Sequence, residues 1–371
     1  MKYYIIAGEA SGDLHGSHLI LGLQKADPGA EIRCWGGDRM QKVGGHVVKH
    51  IRHLAFMGFW EVVKHLGTIL QNIHFCKRDI LNFQPDAVIL IDYPGFNFRL
   101  LNFLKKKDFI TFYYISPQLW AWKTKRIEKV RQYVDRMFVI FPFEKEFYRS
   151  HGIDVDFVGH PLLDEIEMQD NATQPIQKII ALLPGSRRQE IAHLLPEFLK
   201  VIPHFPQYHF VVAGMKDLGE SFYRPLINKS RCELIIDKTY ELLQQSHAAI
   251  VTSGTATLET ALLQVPQVVC YKGSMISYFI ARLLIKNIPF ICIVNLIANK
   301  RVVTELIQRE VNEARLTDEL QLILSDHGRQ NIMNGYGEVR HLIGSPGASE
   351  RAANLMVHYM KEGVPTNNSS R

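Results

Sequence analysis

The sequence predicts an α/β fold of two facing Rossmann-like domains with a cleft between them. Short apolar runs alternate with longer helix-compatible stretches along the chain, which is typical of a doubly wound parallel sheet. The 371 residues exceed what one hydrophobic core usually organises. The alternation lapses once, in the polar segment 165–177, and then starts again. We therefore expect domains at residues 1–170 and 171–345, followed by a C-terminal helix and loose tail at 346–371.

The predicted strands are bounded apolar runs, each followed by helix-compatible sequence. In the first domain they are YYIIAG (3–8), DAVILID (86–92), ITFYYIS (110–116) and DRMFVIF (135–141). In the second domain they are IIALLPGS (179–186), YHFVVAGM (208–215), ELIID (233–237), AAIVTSGT (248–255) and QVVCYKG (267–273). Ligands of open α/β sheets bind beyond the carboxyl ends of the strands, so the residues directly after these runs are the candidate site residues.

The composition favours a folded cytosolic protein with anionic partners. The formal net charge of +6 suits nucleic acid, nucleotide sugars and acidic lipid headgroups alike. Nucleic acid is disfavoured, because the chain lacks Lys/Arg stripes interleaved with aromatic residues. The five cysteines are odd in number and widely spaced, which predicts reduced thiols in a cytosolic protein.

Neither a membrane span nor a metal site is expected. The N-terminus lacks a signal-peptide pattern, and the nearest apolar stretch, 277–294, is interrupted by Arg282 and Lys286. Asp154 and Asp156 form a D-x-D pair like those that hold a metal in some glycosyltransferases, but we interpret them as strand-edge charges. The sixteen histidines show no metal-ligand spacing.

The loop PGSRR is a candidate phosphate site. It follows an apolar strand and precedes a helix, so Gly185 permits close backbone approach and the helix N-terminus offers free N–H groups. Ser186 lies in the same loop, and Arg187 supplies a charged contact to phosphate oxygens. The alternative is a plain strand-to-helix turn with a surface arginine.

The segment TSGTATLE repeats this arrangement. Ser253, Gly254 and Thr255 open a helix in which Glu259 lies about one turn further on. A carboxylate at that place accepts hydrogen bonds from two ribose hydroxyls. The alternative is a hydroxyl cap with an ordinary first-turn glutamate, and the spacing alone does not decide between them.

Asp92 is the candidate general base. It ends an apolar strand and precedes a Tyr-Pro-Gly turn, where a partly desolvated carboxylate can take a proton from a sugar hydroxyl. A capping aspartate is the alternative. The loop GEASGD after the first strand lacks both the G-x-G-x-x-G and the G-K-[ST] patterns, so NAD and ATP are disfavoured.

Two further features have a functional and a packing interpretation. The stretch 56–75 begins with the bulky residues Phe56, Met57, Phe59 and Trp60, which suit either a membrane-surface helix or a buried amphipathic helix. His160 in VGHPLLD suits substrate orientation, but packing or hinge geometry is our default interpretation.

Nine motifs in order resemble the lipid-A-disaccharide synthase family, a glycosyltransferase family of the family 19 type. They are GEASGD, MGFWEV, IDYPGFN, SPQLWAW, FPFEKEFY, VGHPLLD, LLPGSRRQEI, TSGTATLE and NLIANKRVVTELIQ, and they extend from about Tyr3 to Gln308. The chain departs from the family pattern at Asn299, where glycine is more frequent, so the backbone there need not follow the family's. The resemblance implies a GT-B fold, inverting transfer without metal or cofactor, and peripheral attachment to the inner face of a Gram-negative cytoplasmic membrane.

The resemblance also implies substrates and residue roles. The donor is UDP-2,3-diacylglucosamine and the acceptor 2,3-diacylglucosamine-1-phosphate (lipid X), giving UDP and the β-1,6-linked lipid A disaccharide 1-phosphate. Asp92 becomes the base on the acceptor 6-hydroxyl, and Arg187 stabilises the departing diphosphate. The donor-site residues fall on Gly185, Ser186, Ser253, Gly254, Thr255, Glu259, Asn295, Glu305 and Gln308, and the acceptor-side loop on Glu9, Ser11 and Gly12. Family members also suggest a homodimer formed through the C-terminal region.

Two rival functions come from other classes. A UDP-sugar 2-epimerase shares this architecture but needs no lipid acceptor, and the apolar MGFWEV segment argues against it. A non-enzymatic protein that binds anionic lipid would use the positive charge alone. The concentration of small polar residues in strand-end loops argues against that alternative.

Overall fold

The computed structural model describes residues 1–54, 66–122, 126–169, 177–228, 230–273 and 290–364. The chain forms two compact units, of which the first comprises Met1–Asp164 together with the segment from Gly344 onward, and the second comprises Glu165–Ile343. The sequence predicted boundaries at 170 and 345 and a linker at 165–177, of which residues 170–176 lie outside the described residues.

The first unit contains a parallel sheet in the order β3-β2-β1-β4-β5-β6-β7. Its strands are β1 Lys2–Ile6, β2 Glu31–Gly36, β3 His46–His50, β4 Ala87–Ile91, β5 Ile110–Tyr114, β6 Arg136–Val139 and β7 Asp156–Phe157. Its helices before the second unit are α1 Ala10–Ala26, α2 Asp38–Lys42, α3 Leu66–Phe83, α4 Pro94–Lys106, α5 Leu119–Trp122, α6 Ile127–Tyr133, α7 Pro142–Arg149 and α8 Leu162–Gln169, with a 3-10 turn at Ile51–His53.

The second unit contains a parallel sheet in the order β10-β9-β8-β11-β12-β13. Its strands are β8 Ile179–Leu183, β9 His209–Gly214, β10 Cys232–Ile236, β11 Ala248–Thr252, β12 Gln267–Tyr271 and β13 Thr304–Ile307. Its helices are α9 Arg188–Leu199, α10 Glu220–Ile227, α11 Thr239–Gln245, α12 Thr255–Leu262, α13 Ile293–Ala298, α14 Glu313–Leu324 and α15 Asp326–Leu342, with 3-10 turns at Ile202–His204, Lys216–Leu218 and Gln308–Glu310.

The last helix, α16 (Ala348–Glu362), belongs to the first unit and packs along α1. A Cβ atom at Gly22 of α1 would lie 2.8 Å from the Cβ atom of Ala353, so the absence of a side chain permits the close approach. The Tyr114 hydroxyl, at the end of β5, is 3.0 Å from the Ser349 hydroxyl. The C-terminal helix therefore completes the core of the N-terminal sheet.

The central strands explain why the sheets formed as predicted. All five residues of β4, β8 and β11 are buried, as expected for parallel strands that are covered on both faces. The five cysteines are free, and four of them are buried. Two parallel α/β sheets with helices between the strands confirm the predicted fold class. Among the described residues, no helix combines the length and apolarity needed to cross a bilayer.

Candidate active site

Asp92 lies in a tight turn between β4 and α4. It follows Ile91 directly, and both Asp92 (φ +40°) and Tyr93 (φ +44°) have left-handed backbone before α4 begins at Pro94. Two consecutive non-glycine residues in this region are rare, because the Cβ atom then crowds the backbone. The Asp92 N–H donates to the Tyr114 carbonyl at 3.1 Å, which joins the turn to β5. The predicted candidate base therefore occupies a strained strand end.

The loop GEASGD lies against this turn. A Cβ atom at Gly8 would lie only 2.5 Å from Cε1 of the Tyr93 ring, so only glycine allows the two loops to approach this closely. Burial, and to a lesser degree the nearby Glu9 carboxylate, raise the pKa of Asp92, whereas a hydrogen bond from the Tyr93 N–H lowers it. The resulting pKa is about 6. A carboxylate with this pKa is mostly ionised at neutral pH and remains basic enough to accept a proton.

The rest of GEASGD forms the loop that the sequence analysis predicts for the acceptor side. Glu9 is the N-cap residue of α1, Ser11 is exposed, and Gly12 is buried, where an added Cβ atom would lie 3.1 Å from the Ala7 Cβ atom. The buried Asp13 carboxylate accepts hydrogen bonds from the backbone N–H groups of Gly37, Arg39 and Met40, at 2.6, 3.1 and 3.1 Å.

Asp13 was not a sequence-predicted site residue, because its partners belong to α2, more than twenty residues away. A buried charge costs free energy unless hydrogen bonds compensate it. Asp13 therefore fixes α1 to α2 and supports the loop, while Glu9 and Ser11 remain available at its surface.

The PGSR loop of the second unit, the predicted phosphate site, is a strand-to-helix turn on left-handed backbone. Gly185 has φ +113°, a conformation that side chains rarely adopt, and Arg187 is the N-cap residue of α9. The Arg187 side chain is 71% exposed and pairs with Glu190 at 2.7 Å. The N-terminus of a helix offers backbone N–H groups to an anion. The Arg187 guanidinium is available as well, because its exposed ion pair with Glu190 is weak.

The segment after β11 lies beside this loop. A Cβ atom at Gly185 would lie 3.5 Å from Cγ2 of Thr252, the last residue of β11. Gly254 is the N-cap residue of α12, with extended backbone, and the Thr257 hydroxyl donates to its carbonyl at 2.7 Å. Because β8 and β11 are neighbours, the structure brings the two predicted phosphate loops to one edge of the sheet.

Glu259 lies one turn into α12. Burial raises its pKa, a hydrogen bond with the Tyr240 side chain lowers it, and Glu165 raises it. Ser253 at the start of the loop donates from its hydroxyl to the Ile291 carbonyl at 3.4 Å. Tyr240 was missed from the sequence, because it lies in α11, on the other side of β11 along the chain, and only the tertiary fold brings it to Glu259.

Buried Asn295 and half-buried Glu305 form a hydrogen-bond network with the backbone. The Asn295 amide oxygen accepts from Val302 N–H at 2.8 Å and Val303 N–H at 3.0 Å, and its nitrogen donates to the Val303 carbonyl at 2.9 Å and to Glu305 at 2.8 Å. These four bonds use the whole hydrogen-bonding capacity of the amide.

The Glu305 carboxylate also accepts from the N–H groups of Ile291 and Cys292, at 2.9 and 3.1 Å. Asn295 and Glu305 together therefore fix the start of α13 next to β13. Gln308, directly after β13, has φ +54°, and its side-chain nitrogen is buried without a partner among the described residues.

The comparisons with known proteins agree over nearly the whole chain. A family model described as lipid-A-disaccharide synthetase matches residues 3–356. This chain belongs to the lipid-A-disaccharide synthetase family. A lipid-A-disaccharide synthase from Syntrophus aciditrophicus (strain SB) is 40% identical over 374 residues, which cover 96% of this chain and 97% of the relative. One from Geobacter metallireducens is 38% identical over 374 residues, which cover 97% of each. The predicted family is confirmed, and the chain is a glycosyltransferase of lipid A biosynthesis.

Solved structures share the fold at much lower identity. A Staphylococcus aureus MnaA–UDP structure has a TM-score of 0.70 and 15% identity, with 97% of each chain covered. The UDP-GlcNAc 2-epimerase from Neisseria meningitidis bound to UDP-GlcNAc has a TM-score of 0.66 and 14% identity, covering 96% of this chain and all of that one. At these identities the likeness establishes the GT-B type of fold alone.

The predicted departure at Asn299 falls on an ordinary helix end. Asn299 has φ +50°, follows Ala298 as the C-cap residue of α13, and donates its N–H to the Leu296 carbonyl at 3.3 Å. Asparagine tolerates left-handed backbone better than most residues. Asn299 therefore takes a turn that glycine also favours.

Other predicted features lie neither at the Asp92 turn and GEASGD loop nor at the PGSR loop and the segment after β11. The Nδ1 atom of buried His160 accepts from Leu162 N–H at 3.2 Å, and burial lowers its pKa to about 3, so the ring is neutral. Asp154 and Asp156 both pair with Arg136, at 2.9 and 2.6 Å, as strand-edge charges do. The predicted membrane residues Phe56, Met57, Phe59 and Trp60 lie outside the described residues, as do Arg282 and Lys286.

Proposed function

We propose that the chain transfers the diacylglucosaminyl group of UDP-2,3-diacylglucosamine to the 6-hydroxyl of 2,3-diacylglucosamine-1-phosphate. The products are UDP and the β-1,6-linked lipid A disaccharide 1-phosphate. Family membership supports the reaction class, and the observation that supports the chemistry is the environment of Asp92. Its carboxylate is partly buried, lies near Glu9 on a strained strand end, and has a pKa of about 6.

In the proposed reaction, Asp92 takes the proton of the acceptor 6-hydroxyl as that oxygen attacks C1 of the donor sugar. The bond between C1 and the diphosphate oxygen breaks, and its electron pair stays on UDP. Attack from the face opposite the leaving group inverts C1. Arg187 and the N–H groups at the start of α9 neutralise the charge that develops on the diphosphate.

The donor-site residues divide into two kinds in this proposal. Gly185, Ser186, Ser253, Gly254 and Thr255 line the strand-end loops where the diphosphate binds, and Glu259 and Gln308 offer polar side chains beside it. Asn295 and Glu305 act indirectly, because their hydrogen bonds fix the backbone at the start of α13.

The acceptor and the membrane concern the first unit. We assign the acceptor side to Glu9, Ser11 and Gly12, because their loop lies against the Asp92 turn. Peripheral attachment to the inner face of the cytoplasmic membrane, through Phe56, Met57, Phe59 and Trp60, suits substrates with acyl chains. Homodimer formation through the C-terminal region remains part of the proposal.

Transfer of radiolabel from UDP-2,3-diacylglucosamine to lipid X tests the reaction and the base together. Wild type should make lipid disaccharide, whereas Asp92→Asn should lose about 10²–10⁴ of kcat, the usual contribution of a general base. Asp108→Asn is the matched control, because Asp108 also has left-handed backbone (φ +55°) but is exposed.

Each result has a distinct meaning. Equal rates for wild type and Asp92→Asn would remove Asp92 as the base and leave the transferase assignment intact. If wild type makes no disaccharide but converts UDP-sugar without an acceptor, the epimerase alternative replaces the proposal.

A further inference from the structure

The carbonyl of Asp92 receives two hydrogen bonds from buried side chains. The Tyr113 hydroxyl donates to it at 2.6 Å, and the Asn97 side-chain nitrogen donates to it at 2.8 Å. Tyr113 belongs to β5 and Asn97 to the first turns of α4, and neither side chain has any solvent exposure. The two donors therefore converge on one backbone atom from different elements.

That atom belongs to the strained part of the turn. With φ at +40° and +44°, Asp92 and Tyr93 adopt an unfavourable backbone that persists only where the surroundings enforce it. The Asp92 N–H is already bound to Tyr114, so the carbonyl is the second anchor of the residue. Once both backbone groups are fixed, the direction of the carboxylate is restricted to a few side-chain rotamers.

We propose that Tyr113 and Asn97 are positioning residues, which hold the Asp92 peptide in its left-handed conformation and thereby aim the carboxylate at the acceptor hydroxyl. The inference rests on the proposed role of Asp92 as general base. It assigns neither residue a contact with substrate.

The alternative is that both side chains only fill the core. The Asn97 side chain argues against that role, because its amide oxygen is buried without a partner among the described residues. An unsatisfied buried acceptor destabilises the fold, so the amide is retained for what its nitrogen does. That nitrogen donates to Asp92 and, at 3.4 Å, to the Ile91 carbonyl.

Tyr113→Phe tests the inference, and Tyr114→Phe is its matched control. Both tyrosines lie in β5, both are fully buried, and each loses one hydroxyl hydrogen bond, but the Tyr114 hydroxyl contacts Ser349. We expect Tyr113→Phe to lower kcat about tenfold, as loss of one well-placed hydrogen bond does, with UDP affinity unchanged. Tyr114→Phe should leave kcat within about twofold of wild type, because its hydroxyl does not contact Asp92.

A double-variant cycle separates positioning from general destabilisation. Tyr113→Phe is combined with Asp92→Asn, and the effect of the tyrosine change is measured in both backgrounds. If Tyr113 acts through the carboxylate, its effect on kcat disappears once the carboxylate is gone. An equal loss in both backgrounds would overturn the inference, because the tyrosine would then act through the fold.

The acid limb of the pH profile gives a second readout that does not depend on the residual activity of Asp92→Asn. Of the described titratable side chains, Glu9 and Tyr113 interact electrostatically with Asp92. If Tyr113→Phe loosens the turn, water reaches the Asp92 carboxylate and its pKa falls. The acid limb of kcat should therefore move to lower pH in Tyr113→Phe and stay in place in Tyr114→Phe. An unchanged limb together with unchanged kcat contradicts the inference.

Asn97→Ala provides a second variant in case Tyr113→Phe fails to fold, since alanine has no donor and is smaller than asparagine, so it fits the buried site without overpacking. It should lower kcat and move the acid limb in the same direction. If wild type makes no disaccharide, the proposed function fails. If wild type is active while Tyr113→Phe and Asn97→Ala both match it, only the positioning inference fails.

Discussion

The turn at Asp92 and the loop at Arg187 place their charged groups in opposite ways. Asp92 is partly buried on strained backbone, next to another carboxylate, and burial raises its pKa to about 6. Arg187 is 71% exposed at the start of a regular helix, after a glycine that takes the left-handed position without a side-chain clash. A base gains strength from desolvation, whereas a phosphate site needs donors that a ligand can reach.

After the loss of activity in Asp92→Asn, the largest effect is expected at Arg187. Arg187→Ala should lower kcat about 10²–10³-fold, because it removes a fixed positive charge from the leaving group. Arg188→Ala is the control, since Arg188 lies one residue further on and stacks over the Phe222 ring at 4.8 Å. Steady-state kinetics with both substrates measures the loss. Equal losses in the two variants would mean that general positive charge, and not the N-cap arginine, supports the reaction.

Gly8→Ala tests how tightly the Asp92 turn is packed. The added Cβ atom would overlap the Tyr93 ring, so the turn or the first loop must move. We expect a loss of about 1–3 kcal/mol in the free energy of unfolding, typical of overpacking, and a fall in kcat. Gly95→Ala is the control, because an added Cβ atom there has no atom within 4 Å. Urea unfolding measures the difference, and similar stability of the two variants would disprove the tight contact.

Asp92→Asn should stabilise the fold while it removes activity. The folded-state pKa of about 6 lies above the usual 3.8 of aspartate, so the folded protein favours the protonated form. The ionised carboxylate therefore costs about 1–3 kcal/mol at neutral pH, and this cost disappears as the pH falls through 6 toward 4. Asparagine carries no charge and has no such cost, so the gain in the free energy of unfolding should shrink at low pH. Urea unfolding at several pH values measures the change, and Asp108→Asn, in an exposed left-handed position, is the control.

The sequence predicted the fold because the central strands are buried apolar runs that need no partner to be recognised. It missed β2, β3 and β13, of which β3 and β13 are edge strands with mostly half-buried residues. The strand-end position of Asp92 was predictable, but its left-handed backbone was not, because neither Asp92 nor Tyr93 is a glycine. The saturated hydrogen bonds of Asn295 also depend on the fold, since they join it to residues seven to ten positions away.

The smallest expected effect concerns the charge of Glu9. Its carboxylate raises the pKa of Asp92, although burial is the larger cause, so Glu9→Gln should lower that pKa and move the acid limb of kcat to lower pH. The relative rate at pH 5 should rise, because more Asp92 is then ionised. Glu31→Gln is the control, since Glu31 lies in β2 of the same unit, is 62% exposed and pairs with Lys2. If the acid limb of kcat stays in place in Glu9→Gln, burial would be the only cause of the raised pKa of Asp92. The contrast between Asp92 and the exposed Arg187 would then depend on burial alone.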